Sequence, residues 1–96
     1  MRRDAKTDAA QHAIVLQLRR KGYRVHDTHC LGGGYPDLHV SKDGRAVLVE
    51  VKSLGGELTP KERKFFDDWQ GPLVIAFSVW DVIGWFEEHG DGARGR

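Results

Sequence analysis

The feature that most constrains this chain is Asp43-Gly44, set between Leu38-His39-Val40-Ser41-Lys42 and Arg45-Ala46-Val47-Leu48-Val49-Glu50-Val51. Asp-Gly flanked by alternating apolar residues is the strongest short-range pattern for a two-residue β-hairpin. The register then follows by arithmetic: Lys42 pairs with Arg45, Val40 with Val47 and Leu38 with Val49. One step further, Asp37 falls opposite Glu50.

Like charges facing each other across paired strands are destabilising. Glu50 also ends a run that is apolar on both faces, the pattern of a buried central strand, so a positive group is expected beside it. A hard divalent cation fits, because Mg²⁺ is typically held by one or two carboxylates while it keeps waters and phosphate oxygens. Lys52, two residues beyond Glu50, shares its face by the period of a strand. Two carboxylates with an ammonium beside them make a phosphodiester-cleaving arrangement.

The flanking chain reads as one α/β domain. Residues 4–21 predict a helix with Ile14, Val15 and Leu18 on an apolar stripe, Arg19 to Lys21 in the last turn and Gly22 as its stop. Asp8 and Gln11 extend that stripe to the border between core and solvent, within reach of a site on the sheet. Asp8-x-x-Gln11 equally has the spacing of a capping box, and both roles stand open. Tyr23 to Thr28 alternates as a strand. The glycine-rich stretch His29 to Tyr35 predicts a flexible loop, in which Gly33 and Gly34 would let a nucleic-acid backbone approach and receive amide hydrogens. An ordinary connection is the alternative reading. No Gly-Lys-Ser/Thr follows, so no nucleotide cofactor is expected.

Beyond Lys52, Thr59-Pro60-Lys61-Glu62 predicts a sharply capped helix, with Thr59 as N-cap, Pro60 in the first position and Glu62 completing a capping box. Phe65, Phe66 and Trp69 are assigned to its buried face. Leu73 to Phe77 predicts a short buried strand, and Ser78-x-x-Asp81 opens a last helix. Residues 1–89 form the expected domain, and residues 90–96 a disordered tail.

Asp37, then Glu50-Val51-Lys52 after a hairpin, resembles the PD-(D/E)XK nuclease superfamily, most closely the small stand-alone VRR-NUC type nucleases of phage and bacteria and more distantly the Holliday-junction resolvases. The resemblance covers roughly Asp8 to Phe86. It implies a restriction-endonuclease-like αβββαβ core, a mixed central sheet flanked by helices. It also implies that the Val51 carbonyl joins Asp37 and Glu50 as a ligand of Mg²⁺ or Mn²⁺. In similar resolvases a glutamate on the first helix completes the metal site. That position falls on Gln11 here, a departure that leaves Asp8, one turn earlier, as the carboxylate able to replace it. Similar nucleases often carry a polar residue near the site on the second helix, for which Lys61 and Lys64 are the candidates, against plain surface charge.

The implied activity is endonucleolytic hydrolysis of DNA by in-line attack of a metal-activated water, with Lys52 orienting or deprotonating that water or stabilising charge on the phosphate. A dimer would suit four-way junctions and a monomer flaps or nicks; the small core favours a homodimer. The alternative is a DNA-binding module of the same fold that has lost catalysis, motivated by Gln11.

Composition bounds rather than decides this reading. The 96 residues, 40% hydrophobic, suit one domain. A net charge of +1 does not argue nucleic-acid binding, although Arg19, Arg20, Lys21 and Arg24 cluster, as do Lys61, Arg63 and Lys64. The single Cys30 excludes an internal disulfide framework, and His26, His29 and Cys30 lack a fourth ligand at structural-zinc spacing. With no apolar leader and no membrane-length apolar run, the expectation is a soluble cytoplasmic protein, bacterial or acting in a host if phage-encoded.

Overall fold

The computed structural model describes residues 5–94. In chain order it contains α1 (Ala5–Arg20), β1 (Arg24–Asp27), a 3-10 turn (His29–Leu31), β2 (Leu38–Lys42), β3 (Arg45–Val51), α2 (Pro60–Asp68), β4 (Leu73–Ala76) and α3 (Val79–Arg94). The strands lie in the order β1-β2-β3-β4, antiparallel at the first two junctions and parallel between β3 and β4. The class is therefore α/β with a mixed sheet. Among the described residues no helix is long and apolar enough to cross a membrane.

The hairpin forms in the expected register, with Lys42 opposite Arg45, Val40 opposite Val47 and Leu38 opposite Val49. Asp43 and Gly44 both take positive φ, 54° and 82°, as a turn matched to the twist of its strands requires. The end of α1 is equally local in origin. Tyr23 N–H bonds to the Leu18 carbonyl and Gly22 N–H to that of Arg19, a Schellman stop in which Gly22 supplies φ +95°.

Val25, Leu38, Val40, Val47, Val49 and Ala76 point to one face of the sheet, where Ile14 and Leu18 of α1 and Val79, Val82, Ile83 and Phe86 of α3 close the core. Adjacent strand residues point to opposite faces, so Leu48 and Glu50 face the other side.

Three elements differ from expectation. Asp8 lies within the first turn of α1, not before it, so it is not the helix N-cap. Phe65, Phe66 and Trp69 do not give α2 a buried face: the helix has no buried residue, and Trp69 is 39% exposed. The reason is where α2 lands. It lies against polar groups at the end of β3, and its aromatics join a peripheral cluster with Tyr35, where Phe65 meets Tyr35 edge-on at 5.1 Å and stacks on Trp69 at 5.5 Å. Finally, residues 90–94 continue α3 where a structureless tail was expected. A helix nucleated by Asp81, whose carboxylate accepts from the Phe77 and Ser78 N–H groups, propagates at low cost. Residues 1–4 and 95–96 lie outside the described residues.

Candidate active site

The β2–β3 ladder ends at Leu38–Val49, and what replaces the next rungs builds the site. β2 stays tied to β1, since Thr28 N–H donates to the Asp37 carbonyl at 2.7 Å and the Thr28 hydroxyl to the Pro36 carbonyl at 2.8 Å. On the β3 side the Asp37 carboxylate takes over from the main chain, accepting the Val51 N–H at 2.9 Å. Asp37 is 3% exposed and Glu50 is 2% exposed, so two carboxyl groups are enclosed where the strands part.

Glu50 carries the strain of this arrangement. Its Oε1 is buried with no hydrogen-bond partner. Burial first, then the Asp37 and Glu62 carboxylates, push its pKa up to about 9 against a smaller opposing pull from Lys52. The Lys52 ammonium lies 3.7 Å from Glu50 Oε2 but 2.7 Å from Glu62 Oε1. Glu62 is thus a site residue that the sequence reading assigned to helix capping alone. It does cap: its Oε1 accepts the Thr59 N–H at 2.9 Å, and Thr59 Oγ1 accepts the Glu62 N–H. The same oxygen holds Lys52. Burial disfavours the Glu62 charge, but the hydrogen bonds from Lys52 and Thr59 outweigh it and keep the carboxyl below its ordinary range.

Gln11 is buried, as its helical spacing predicts, yet it lies on the other side of the sheet from Glu50. Its Nε2 donates to Asp27 Oδ2 at 3.0 Å, and Asp27 pairs with Leu38 and Leu38 with Val49, on the core face. Asp27 also accepts the His29 N–H at 3.0 Å and contacts His29 Nδ1 at 2.5 Å. Burial opposes the Asp27 charge, and the bonds from His29 and Gln11 overcome it, lowering its pKa. Asp8 is exposed on α1. Asp37, Glu50, Val51 and Lys52 are therefore brought together, and the Gln11 amide donates to Asp27 at the end of β1.

Gly33 and Gly34 both take positive φ, but Gly34 has a structural requirement of its own. A Cβ there would stand 2.3 Å from the Lys61 carbonyl oxygen, so the loop packs directly on the first turn of α2. The Lys61 and Lys64 side chains are exposed. His39 lies beside this region, its Nε2 2.9 Å from the Tyr35 hydroxyl.

Among the described residues no three His, Cys, Asp or Glu side chains form a group able to hold a metal ion by themselves. A cation here would rest on Asp37 and Glu50 with a main-chain carbonyl. The donors fit one: both are hard carboxylate oxygens, one of them buried and unpartnered. In comparisons with known proteins, no family model matches the chain, and no curated protein or solved structure shows significant similarity to it.

Proposed function

We propose that this chain is a Mg²⁺- or Mn²⁺-dependent DNA endonuclease of the PD-(D/E)XK type, with a restriction-endonuclease-like αβββαβ fold. The observation that carries the reading is the burial of Glu50 beside Asp37 with Oε1 unpartnered and the pKa raised to about 9. An apolar or amide side chain would sit there at lower cost, so the position favours a cationic ligand over stability. Strongly perturbed carboxyl groups gather at functional sites for this reason.

Asp37 and Glu50 would hold the cation, with the Val51 carbonyl. When bound, Mg²⁺ or Mn²⁺ supplies charge neutralisation at the phosphate and acidifies water. The protein does the rest. Asp37 is fixed by the Val51 N–H, and Glu50 gives up its proton to become a ligand. Lys52, held by Glu62, keeps an ammonium beside the carboxylates, where it orients water or stabilises charge developing on the phosphate.

The experiment is cleavage of labelled duplex, flap and four-way-junction DNA with Mg²⁺ or Mn²⁺ by wild type, Glu50→Ala and Lys52→Ala. Cutting should vanish in Glu50→Ala and fall by about 10²–10⁴ in Lys52→Ala. Junction cutting by a species that sediments as a homodimer selects the resolvase form, and cutting of flaps alone the monomeric one. The second reading, a binding module without catalysis, is favoured by Gln11 meeting Asp27 on the far face of the sheet. DNA binding without cutting by wild type would establish it.

A further inference from the structure

The face of the sheet that carries Glu50 does not end at the carboxylates. Arg24, Ser41 and Ala46 form one cross-strand row at the hairpin end of the same face. Around that row and over the hairpin end to the opposite face runs an open groove of about 470 Å³, lined also by Lys42 and Arg45, which point to the side of α1 and α3. A second groove of about 400 Å³ shares Gly22 and Arg24 with it and adds Arg19 and His26. Together they make a furrow that wraps the β1 edge.

Four cations line the furrow, Arg19, Arg24, Lys42 and Arg45, against Asp43 in the lining and Glu87, whose charge reaches the Tyr23 hydroxyl. The whole chain carries only +1, so positive charge is concentrated here. Among the described residues the close ion pairs lie elsewhere, at Asp27–His29 and around Lys52. Lys42 and Arg45 rest on aromatic rings, 5.3 Å from the centre of Tyr23 and 5.9 Å from that of Trp85, and Arg45 Nε is buried without a partner. Donors strung along a groove, without convergence on one point, suit an extended polyanion better than a single small anion.

The distance to the carboxylates is also set by the sheet. Ala46 and Glu50 are four residues apart on β3, about 13 Å at strand rise, which is about four nucleotides of a duplex strand. The row between them is His26, His39 and Leu48. His26 is exposed and His39 half-buried, so the lane from furrow to Glu50 is polar.

We propose that this furrow holds the phosphate backbone of duplex DNA, about four nucleotides from the bond presented to Asp37 and Glu50. The assignment rests on the nuclease reading for its direction along the sheet. It places the main backbone contacts at the β1 edge instead of at the glycine loop and Lys61 and Lys64.

The test is fluorescence anisotropy of a labelled duplex in EDTA, where no cleavage occurs, over a series of salt concentrations. Arg24→Gln/Lys42→Gln should weaken binding by about tenfold or more and reduce the slope of log affinity against log salt by about two. Arg24→Glu, at an exposed position whose change spares the core, should weaken binding on its own. Wild-type affinity and slope in both variants would overturn the furrow, as would a larger loss in Lys61→Ala/Lys64→Ala, or tighter binding of duplex RNA than of DNA. Furrow-dependent binding by a protein that cuts nothing with Mg²⁺ or Mn²⁺ would sink the nuclease reading alone. Cutting by wild type with binding indifferent to Arg24 and Lys42 would sink the furrow alone.

Discussion

On the face of the sheet that carries α1 and α3, Val25, Leu38, Val40, Val47 and Val49 are closed to solvent among other apolar side chains. The face under α2 buries Glu50 to the same degree and leaves its Oε1 without a partner. The same strands build both. β3 alternates Val47, Val49 and Val51 inward with Leu48 and Glu50 outward, so a period of two distributes stability to one side and electrostatic tension to the other. α1 and α3 dock through buried residues. α2 has none and is held by a capping carboxylate that reaches Lys52, by the contact of Gly34 with Lys61, and by the aromatic cluster at Tyr35. The difference teaches that the α2 face gives up stability at Glu50 that apolar groups would supply.

If that contrast is right, truncation on the two faces has opposite signs. Leu38→Ala, at a fully buried core position, should cost about 2–5 kcal/mol, a large part of the stability of a small domain. Glu50→Gln should stabilise the metal-free protein at pH 8, because wild-type Glu50 must take up a proton to be buried there and the amide need not. Urea denaturation of both variants measures the two effects. Destabilisation of similar size in each would mean that Glu50 is an ordinary structural residue.

The next effect is pH dependence. Glu50 titrates near 9 in the folded chain and near its ordinary 4.5 when unfolded. Between those values the folded state binds the extra proton. Stability contributed by Glu50 is therefore fully present below about pH 4.5 and is lost as pH rises toward 9, by at most about 1.4 kcal/mol per pH unit. Glu50→Gln should flatten this decline, and millimolar Mg²⁺ should offset it in wild type by binding the ionised form. Denaturation midpoints across this pH range, with and without Mg²⁺, give the answer. A flat wild-type profile would remove the tension from the site face.

Gly34 tests how that face is assembled. A methyl group there meets main-chain atoms of Lys61 at φ +87°, and neither side can yield as a flexible side chain would. Gly34→Ala should cost about 1–3 kcal/mol and reduce cleavage by displacing Glu62 from Lys52. Gly33→Ala has open space around it but sits at φ +65°, so it should cost about 1 kcal/mol of backbone strain and spare the site. Equal activity losses in both variants would return the loop to a direct role with phosphate.

How much of this could be read in advance follows the range of the interaction. The hairpin register, the Gly22 stop and the Thr59 cap are set by residues within a few positions of one another, and each appears where the sequence places it. The closeness of Asp37 to Glu50 was legible from the hairpin register, although the ladder stops one step short of that pair and the Asp37 carboxylate takes the Val51 N–H instead. The destination of Gln11 was not, since helical periodicity shows that it is buried without showing which face of the sheet α1 covers. Glu62 was missed for a different reason. A capping box accounts for it locally, and nothing in that motif shows that the same oxygen reaches Lys52. The aromatics of α2 misled in a similar way: their spacing defines an apolar face but not whether that face meets the core or the polar end of β3.

The double duty of Glu62 gives the smallest effect and the sharpest division between the faces. Thr59→Ala removes the hydroxyl that accepts the Glu62 N–H and should cost about 1 kcal/mol, with the charges of the site in place. Glu62→Gln keeps an oxygen for the Thr59 N–H but removes one of the two carboxylates that raise Glu50. It also takes away the charge that draws Lys52 to Oε1 at 2.7 Å, leaving the ammonium more to the pull of Glu50. Both changes act on the Glu50 proton in one direction, so its titration should move down toward the ordinary range. The stability loss should resemble that of Thr59→Ala, while the pH window over which stability declines shifts downward in Glu62→Gln alone. NMR titration of the Glu50 side-chain carboxyl in the two variants reads this directly. An identical Glu50 titration in both would show that Glu62 serves the helix and not the site.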